Sequence, residues 1–206
     1  MNQSFNEAVV PQLAKSDPEW GHGRGTRSDG KDTNSSVAPT RKFTPSAKQL
    51  IIYFSRSGST ELLAQKIAQA TGADILEIVV KEPYAGDYFK TLARANQERE
   101  SQSWPELNME MPDLTQYTTV YLGYPIWAMT LAHPMTAFLT AYGSRLADKT
   151  IAPFMSQGGY GAGESIDQIR HMVGGQTTHF TTPLIVAGNR VDRADRQITK
   201  WLQNIS

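Results

Sequence analysis

The chain has 206 residues, about one domain's length, and its 20 Lys+Arg balance its 20 Asp+Glu. Zero net charge argues against a nucleic-acid binder and against a polybasic membrane-surface protein, and no apolar run approaches the ~18 residues of a membrane span. Cysteine is absent, which excludes disulfides, thiolate catalysis and cysteine-ligated zinc or iron–sulfur clusters.

Residues 1–48 hold few apolar side chains. Gly21, Gly23, Gly25, Ser28, Gly30, Ser35 and Ser36 lie among scattered charges with no sustained period of 2 or 3.6. Such a composition buries too little apolar surface to offset its ordering entropy, so this stretch is expected to be a flexible polar leader. Phe5, Val9, Val10 and Trp20 are the leader residues able to dock transiently on a surface, and the GHGRG run is too brief for an RNA-binding tract. The start has neither a basic n-region nor an apolar h-region, so no signal peptide is expected and the protein is placed in the cytoplasm.

From residue 49 to 206, short apolar runs alternate with helical patterns. Leu50 to Phe54 is a continuous apolar run suited to a strand buried on both faces. Glu61 to Thr71 places Leu62, Leu63, Ile67 and Ala70 on one helical side, and Gly72 ends it. Ile75 to Val80 is the second strand. Asp87 to Ser101 reads as a mostly exposed helix turning Tyr88, Leu92 and Ala95 inward. After a polar connection with Pro105 and Pro112 comes a third strand, Thr118 to Gly123.

Leu131, Met135, Phe138, Leu139 and Tyr142 then mark an amphipathic helix that tolerates Pro134 only in its first turn. Thr150 to Met155 is the fourth strand and Ser165 to Val173 the next helix. Phe180 to Ala187 is the fifth strand, bent or interrupted near Pro183. The last helix buries Ala194, Ile198, Trp201, Leu202 and Ile205, with Asp192 as its cap. Five strands alternating with five helices predict a doubly wound α/β fold with a five-stranded parallel sheet.

In such sheets ligands bind outside the carboxyl ends of the strands, so the loops that follow strands carry the information. After the first strand, Ser55-Arg56-Ser57-Gly58-Ser59-Thr60 sets four hydroxyls and a glycine at a helix entrance, where free N–H groups and the dipole attract an anion. It is neither a Walker A loop nor a GxGxxG fingerprint, and a polar turn with a helix cap has the same composition. After the third strand, Tyr124-Pro125-Ile126-Trp127-Ala128-Met129-Thr130 offers a Trp that needs a flat cover or a fold back onto the core. After the fourth, Ser156-Gln157-Gly158-Gly159-Tyr160-Gly161-Ala162-Gly163 sets a tyrosine among four glycines, either a flexible turn or a loop that approaches a ligand closely. In a sheet ordered 2-1-3-4-5 these three loops meet over one crevice.

On the motifs FSRSGST, LGYPIWAM and APFMSQGGYGAG, residues 49–206 resemble the flavodoxin-like family, and the fifth strand, which the resemblance takes as uninterrupted, is similar to the short-chain type. The resemblance implies that Ser55, Ser57, Gly58, Ser59 and Thr60 bind the phosphate of FMN. It also implies that Pro125, Ile126, Trp127, Ala128 and Met129, with Ser156, Gln157, Gly158, Gly159, Tyr160 and Gly161, line the isoalloxazine, Trp127 and Tyr160 stacking on it. Amides of Gly158 to Gly161 would donate to the ring oxygen O2 and to N1. The sequence departs from its relatives at Ala128, where a second aromatic is common, and at Ser156-Gln157, where Thr-His is common.

No catalytic side chain and no metal is implied. Electron transfer through FMN is expected, most simply as an oxidoreductase passing electrons from NAD(P)H to a quinone or similar acceptor. The alternatives are a one-electron carrier between partner proteins and a flavin-less interaction module. Residues 49–206 carry 13 basic and 15 acidic residues (13 − 15 = −2), which lacks the acidic face that steers carriers to basic reductases. The resemblance also allows a homodimer, since flavin reductases often close their sites across one. His22, His133, His171 and His179 are too scattered for a metal motif. His133 is either a proton donor to a quinone or a polar residue opening a helix. Arg56 is either a contact for a nicotinamide nucleotide's phosphate or an exposed loop arginine.

Overall fold

Leu50, Ile51, Ile52 and Tyr53 are all fully buried. Successive side chains of a strand point to opposite faces, so these four can be buried together only if both faces of their sheet are covered. A computed structural model describes residues 38–205 and shows how that is achieved. In chain order the strands are β1 (Arg41–Lys42), β2 (Gln49–Tyr53), β3 (Asp74–Glu77), β4 (Thr119–Trp127), β5 (Thr130–Leu131), β6 (Thr150–Gln157), β7 (His179–Phe180) and β8 (Leu184–Ala187). The helices are α1 (Ser59–Thr71), α2 (Tyr88–Ser101), α3 (His133–Tyr142), α4 (Ser165–Val173) and α5 (Asp195–Leu202).

Parallel pairing runs β3-β2-β4-β6, with β7 and β8 both beside β6, which is the expected 2-1-3-4-5 order. Two antiparallel additions were not expected: β1 on the outer edge of β3 and β5 on the end of β4. One sheet face packs Leu50, Ile52, Val120 and Leu122 against Met135, Phe138, Leu139 and Ile169. The other packs Ile51, Tyr53, Tyr121 and Phe154 against Leu62, Leu63, Ile67, Ile198 and Trp201. Alternate residues of β2 therefore serve different layers, as a doubly covered strand requires.

The fifth strand is split into β7 and β8 by residues 181–183, the interruption expected near Pro183, which has no N–H to give the ladder. Several local expectations change. The third strand continues past Gly123 to Trp127, so Pro125 to Trp127 are strand rather than loop. In α2, Asp87 is the cap, accepting from Lys90 N at 2.9 Å. Its buried residues are Thr91 and Ala95, whereas Leu92 is 39% exposed and Tyr88 half-buried. Asp192 does not cap α5; its main-chain oxygen accepts from Lys66, which also meets Asp195 at 2.6 Å.

Residues 38–48, grouped with the leader on composition, are held against the sheet by two buried carboxylates. Asp74 accepts from Thr44 N and Oγ1 and from the Tyr117 hydroxyl, and Glu77 accepts from Thr40 N. The remaining leader residues, 1–37, lie outside the described residues, as does His22. Among the described residues, no helix is long and apolar enough to cross a membrane.

Gly123 on β4 lies directly opposite Phe154 on β6, and a Cβ there would stand 2.1 Å from the Phe154 ring. The ring uses the space that any side chain would need. Gly123→Ala is expected to destabilise the fold by about 1–3 kcal/mol, the usual cost of overpacking. Urea unfolding of both chains checks this, and an unchanged midpoint would contradict it.

Candidate functional site

A parallel sheet turns every strand's carboxyl end, and the start of every following helix, toward one rim. At that rim a cavity of about 650 Å³ opens between the ends of β2, β4 and β6 and one side of α2. That volume lies within the usual range for sites that hold a cofactor-sized molecule. Of the residues that the resemblance assigns to FMN, all but Gly58 and Gly159 line it.

The β2 end forms an anion seat. Gly58 holds φ +93° and donates its N–H to Ser55 Oγ at 3.1 Å, a left-handed turn that a side chain would strain. The turn brings Ser59 and Thr60 into the first turn of α1 as buried residues, where their backbone N–H groups have no intrahelical acceptor. Thr60 Oγ1 pairs with Ser156 Oγ at 2.9 Å, joining this loop to the end of β6. Ser59 Oγ is buried with no hydrogen-bond partner among the described residues. A buried hydroxyl without a partner is costly, and here it stands beside a helix start that favours negative charge. The donor set fits a phosphate. Arg56 is not the exposed loop arginine considered above: it is 7% exposed, lines the cavity, and donates through Nη1 to Gly86 O just before α2.

The β4 end is a tight hairpin. Ile126 pairs with Leu131 and Trp127 with Thr130, leaving Ala128 and Met129 as a two-residue turn with φ +47° and +67°. Two positive φ angles match the right-handed twist of the flanking strands, and non-glycine residues accept them only under outside support. The support is visible. Met129 O accepts from Glu164 N at 2.9 Å, and a Cβ on Gly163 would collide with that same carbonyl.

Trp127 is half-buried and held edge-on by Phe54, Tyr84 and His133 at centroid distances of 5.8, 5.0 and 5.7 Å. Behind it, Glu98 of α2 accepts from the Tyr84 hydroxyl at 2.6 Å, Arg94 Nε at 2.7 Å and His133 Nδ1 at 2.7 Å. Because the carboxylate only accepts, it makes Nδ1 the protonated nitrogen of His133. Burial raises the Glu98 carboxyl, but the hydrogen bonds from His133, Tyr84 and Arg94 outweigh it and hold it below the ordinary carboxylate range. The Tyr84 phenol is pushed well above its ordinary value by burial and by its bond to Glu98. His133 is 2% exposed and does not line the cavity, so it braces Trp127 rather than facing a ligand as a proton donor.

The β6 end is shaped by its own side chain. Gln157 Oε1 accepts from Gly159 N and Gly161 N, so these two amides are engaged within the loop rather than directed at a ring oxygen. Gly158 and Gly161 line the cavity, whereas Gly159 does not. Tyr160 stands 83% exposed at the lip.

Sequence reading missed the α2 wall. Tyr88, Thr91, Leu92, Ala95 and Arg99 line the cavity, as does Gly188. Positions 88, 92, 95 and 99 follow helical spacing, a signal that read as a core-facing stripe because a cavity wall and a core have the same periodicity.

A family model described as Flavodoxin matches residues 48–205. Among solved structures, one from Bacteroides eggerthii, provisionally described as a flavoprotein, is 27% identical with a TM-score of 0.64, covering 77% of this chain and 98% of that one. A flavoprotein from Lactobacillus acidophilus, solved in complex with FMN, is 22% identical with a TM-score of 0.57, covering 71% of this chain and 97% of that one. Comparison with curated proteins gives no match.

The depressed Glu98 carboxyl makes a pH prediction. Its stabilisation is complete above the ordinary glutamate value of about 4.3 and is lost as pH falls through the lower folded value. Glu98→Gln should cost about 1.5–3 kcal/mol at neutral pH, and the gap should narrow in acid. Urea unfolding from about pH 7 down to about pH 3 tests it, and a gap of constant size would contradict it.

Proposed function

The chain belongs to the flavodoxin family, and from that membership and the form of the cavity we propose that it holds FMN non-covalently and acts as an oxidoreductase. It draws electrons from NAD(P)H and delivers them to a quinone or similar acceptor. The observation that carries the reading is the buried Ser59 hydroxyl at the start of α1, without a hydrogen-bond partner among the described residues and in the same cavity as Trp127 and Tyr160. The FMN complex of the Lactobacillus acidophilus protein supports the cofactor's identity.

When bound, FMN supplies reversible uptake of one or two electrons by its ring. The chain supplies position and electrostatics. Ser57, Ser59 and Thr60 with the α1 start hold the phosphate, and Arg56 adds a fixed positive charge beside it. Trp127 and Tyr160, both at the cavity, would stack on the isoalloxazine. Trp127 is clamped in place and Tyr160 is open to solvent, so the tyrosine side is where a ligand enters and the tryptophan side sets the ring's plane. Electron-rich faces disfavour added negative charge on the ring and lower its potential.

Two outcomes are expected. Trp127→Ala weakens FMN binding by about tenfold or more and raises the flavin's two-electron potential, while Trp127→Phe keeps most of both. Unchanged affinity and potential in Trp127→Ala would contradict the stacking role. The FMN-loaded protein also oxidises NAD(P)H steadily with a quinone and no added reductase; bound flavin without such turnover would point instead to a one-electron carrier.

A further inference from the structure

Among the described residues that line the cavity, the charged ones are Arg56 and Arg99, and no carboxylate joins them. The two guanidiniums serve opposite ends of the α2 wall. Arg56 reaches Gly86 O, just before the helix starts. Arg99 stands eleven residues beyond Tyr88 (99 − 88), about 16 Å along the axis at 1.5 Å per residue. Between them Tyr88, Leu92 and Ala95 form an apolar strip facing the cavity, with Leu92 left 39% exposed.

Arg56 belongs to the loop of the anion seat and is turned to Gly86 O. Arg99 is not accounted for in that way. Its Nη2 donates to Asn96 Oδ1 at 2.7 Å, which orients the guanidinium from one side. The neighbouring Glu98 is turned to Tyr84, Arg94 and His133 and so does not neutralise Arg99. An apolar wall ending in an oriented guanidinium is the complement of an aromatic ring bearing a carboxylate.

Resting on the flavin reading above, we propose that the α2 wall is the electron-acceptor subsite and that Arg99 selects acceptors with an anionic substituent. Quinones or nitroarenes bearing a carboxylate are the class it fits. The ring lies on Leu92 and Ala95, and the carboxylate accepts from Arg99.

The test compares 4-nitrobenzoate with the neutral, similarly shaped 4-nitrobenzamide by calorimetric titration of the full chain, before and after loading with FMN. The wild-type chain is expected to bind the carboxylate about tenfold more tightly or better, the usual range for a charge-assisted hydrogen bond. Arg99→Gln should erase that preference, Arg99→Lys should restore part of it, and FMN affinity should be the same in all three chains. Equal affinity for the two probes in the wild type would overturn the subsite. So would loss of FMN affinity in Arg99→Gln, which would give the arginine to the cofactor. Calorimetry reads the preference with or without flavin, so a chain that fails to take up FMN would sink the flavin reading through a separate observation.

Discussion

The site depends on a helix that starts inside the protein. Most helices expose their first N–H groups to water or satisfy them with a capping side chain. Here α1 begins at Ser59 with no side-chain cap, and Ser59, Thr60 and Leu62 are all buried. What the fold leaves there is a partial positive charge, amide donors and a hydroxyl without a partner among the described residues. An anion satisfies all three at once. The parallel sheet makes this possible, because it brings the ends of β2, β4 and β6 to the same rim and lets Thr60 and Ser156 tie two of them together.

Around that seat the protein has invested unevenly in rigidity. Trp127 is braced by three aromatic contacts, and behind them one carboxylate gathers three donors. The hairpin carrying Trp127 keeps two residues at positive φ and is tied to the start of α4 through Met129 O. Strain held in place by neighbours is typical of positions where geometry matters to function. On the other lip, Tyr160 has no comparable support among the described residues and is 83% exposed. One wall is held rigidly and the other is open to solvent.

Much of this was legible in the sequence. The continuous apolar run at Leu50 to Phe54 required a doubly covered strand, and the alternation of strands and helices then allowed few topologies. The three hydroxyl-, aromatic- and glycine-rich segments did converge on one cavity. What escaped has specific causes. Residues 38–48 are polar and short of apolar contacts, and they are held by hydrogen bonds to Asp74 and Glu77, partners about 30 residues away or more that no local pattern reveals. Tyr88 and Leu92 carry the periodicity of a core face but look into the cavity. His133 was read as a polar helix opener or a donor to substrate, because only the fold places Glu98 beside it and Trp127 in front.

The central claim is that the start of α1 holds a phosphate joined to a flat ring. Its most direct test is a fluorescence titration of the full chain with FMN and with riboflavin, the same ring system without the phosphate. The account predicts quenching of FMN fluorescence at a dissociation constant about a hundredfold or more below that for riboflavin, the scale of two charge-assisted hydrogen bonds. Equal affinity for the two, or no quenching of either, would contradict it.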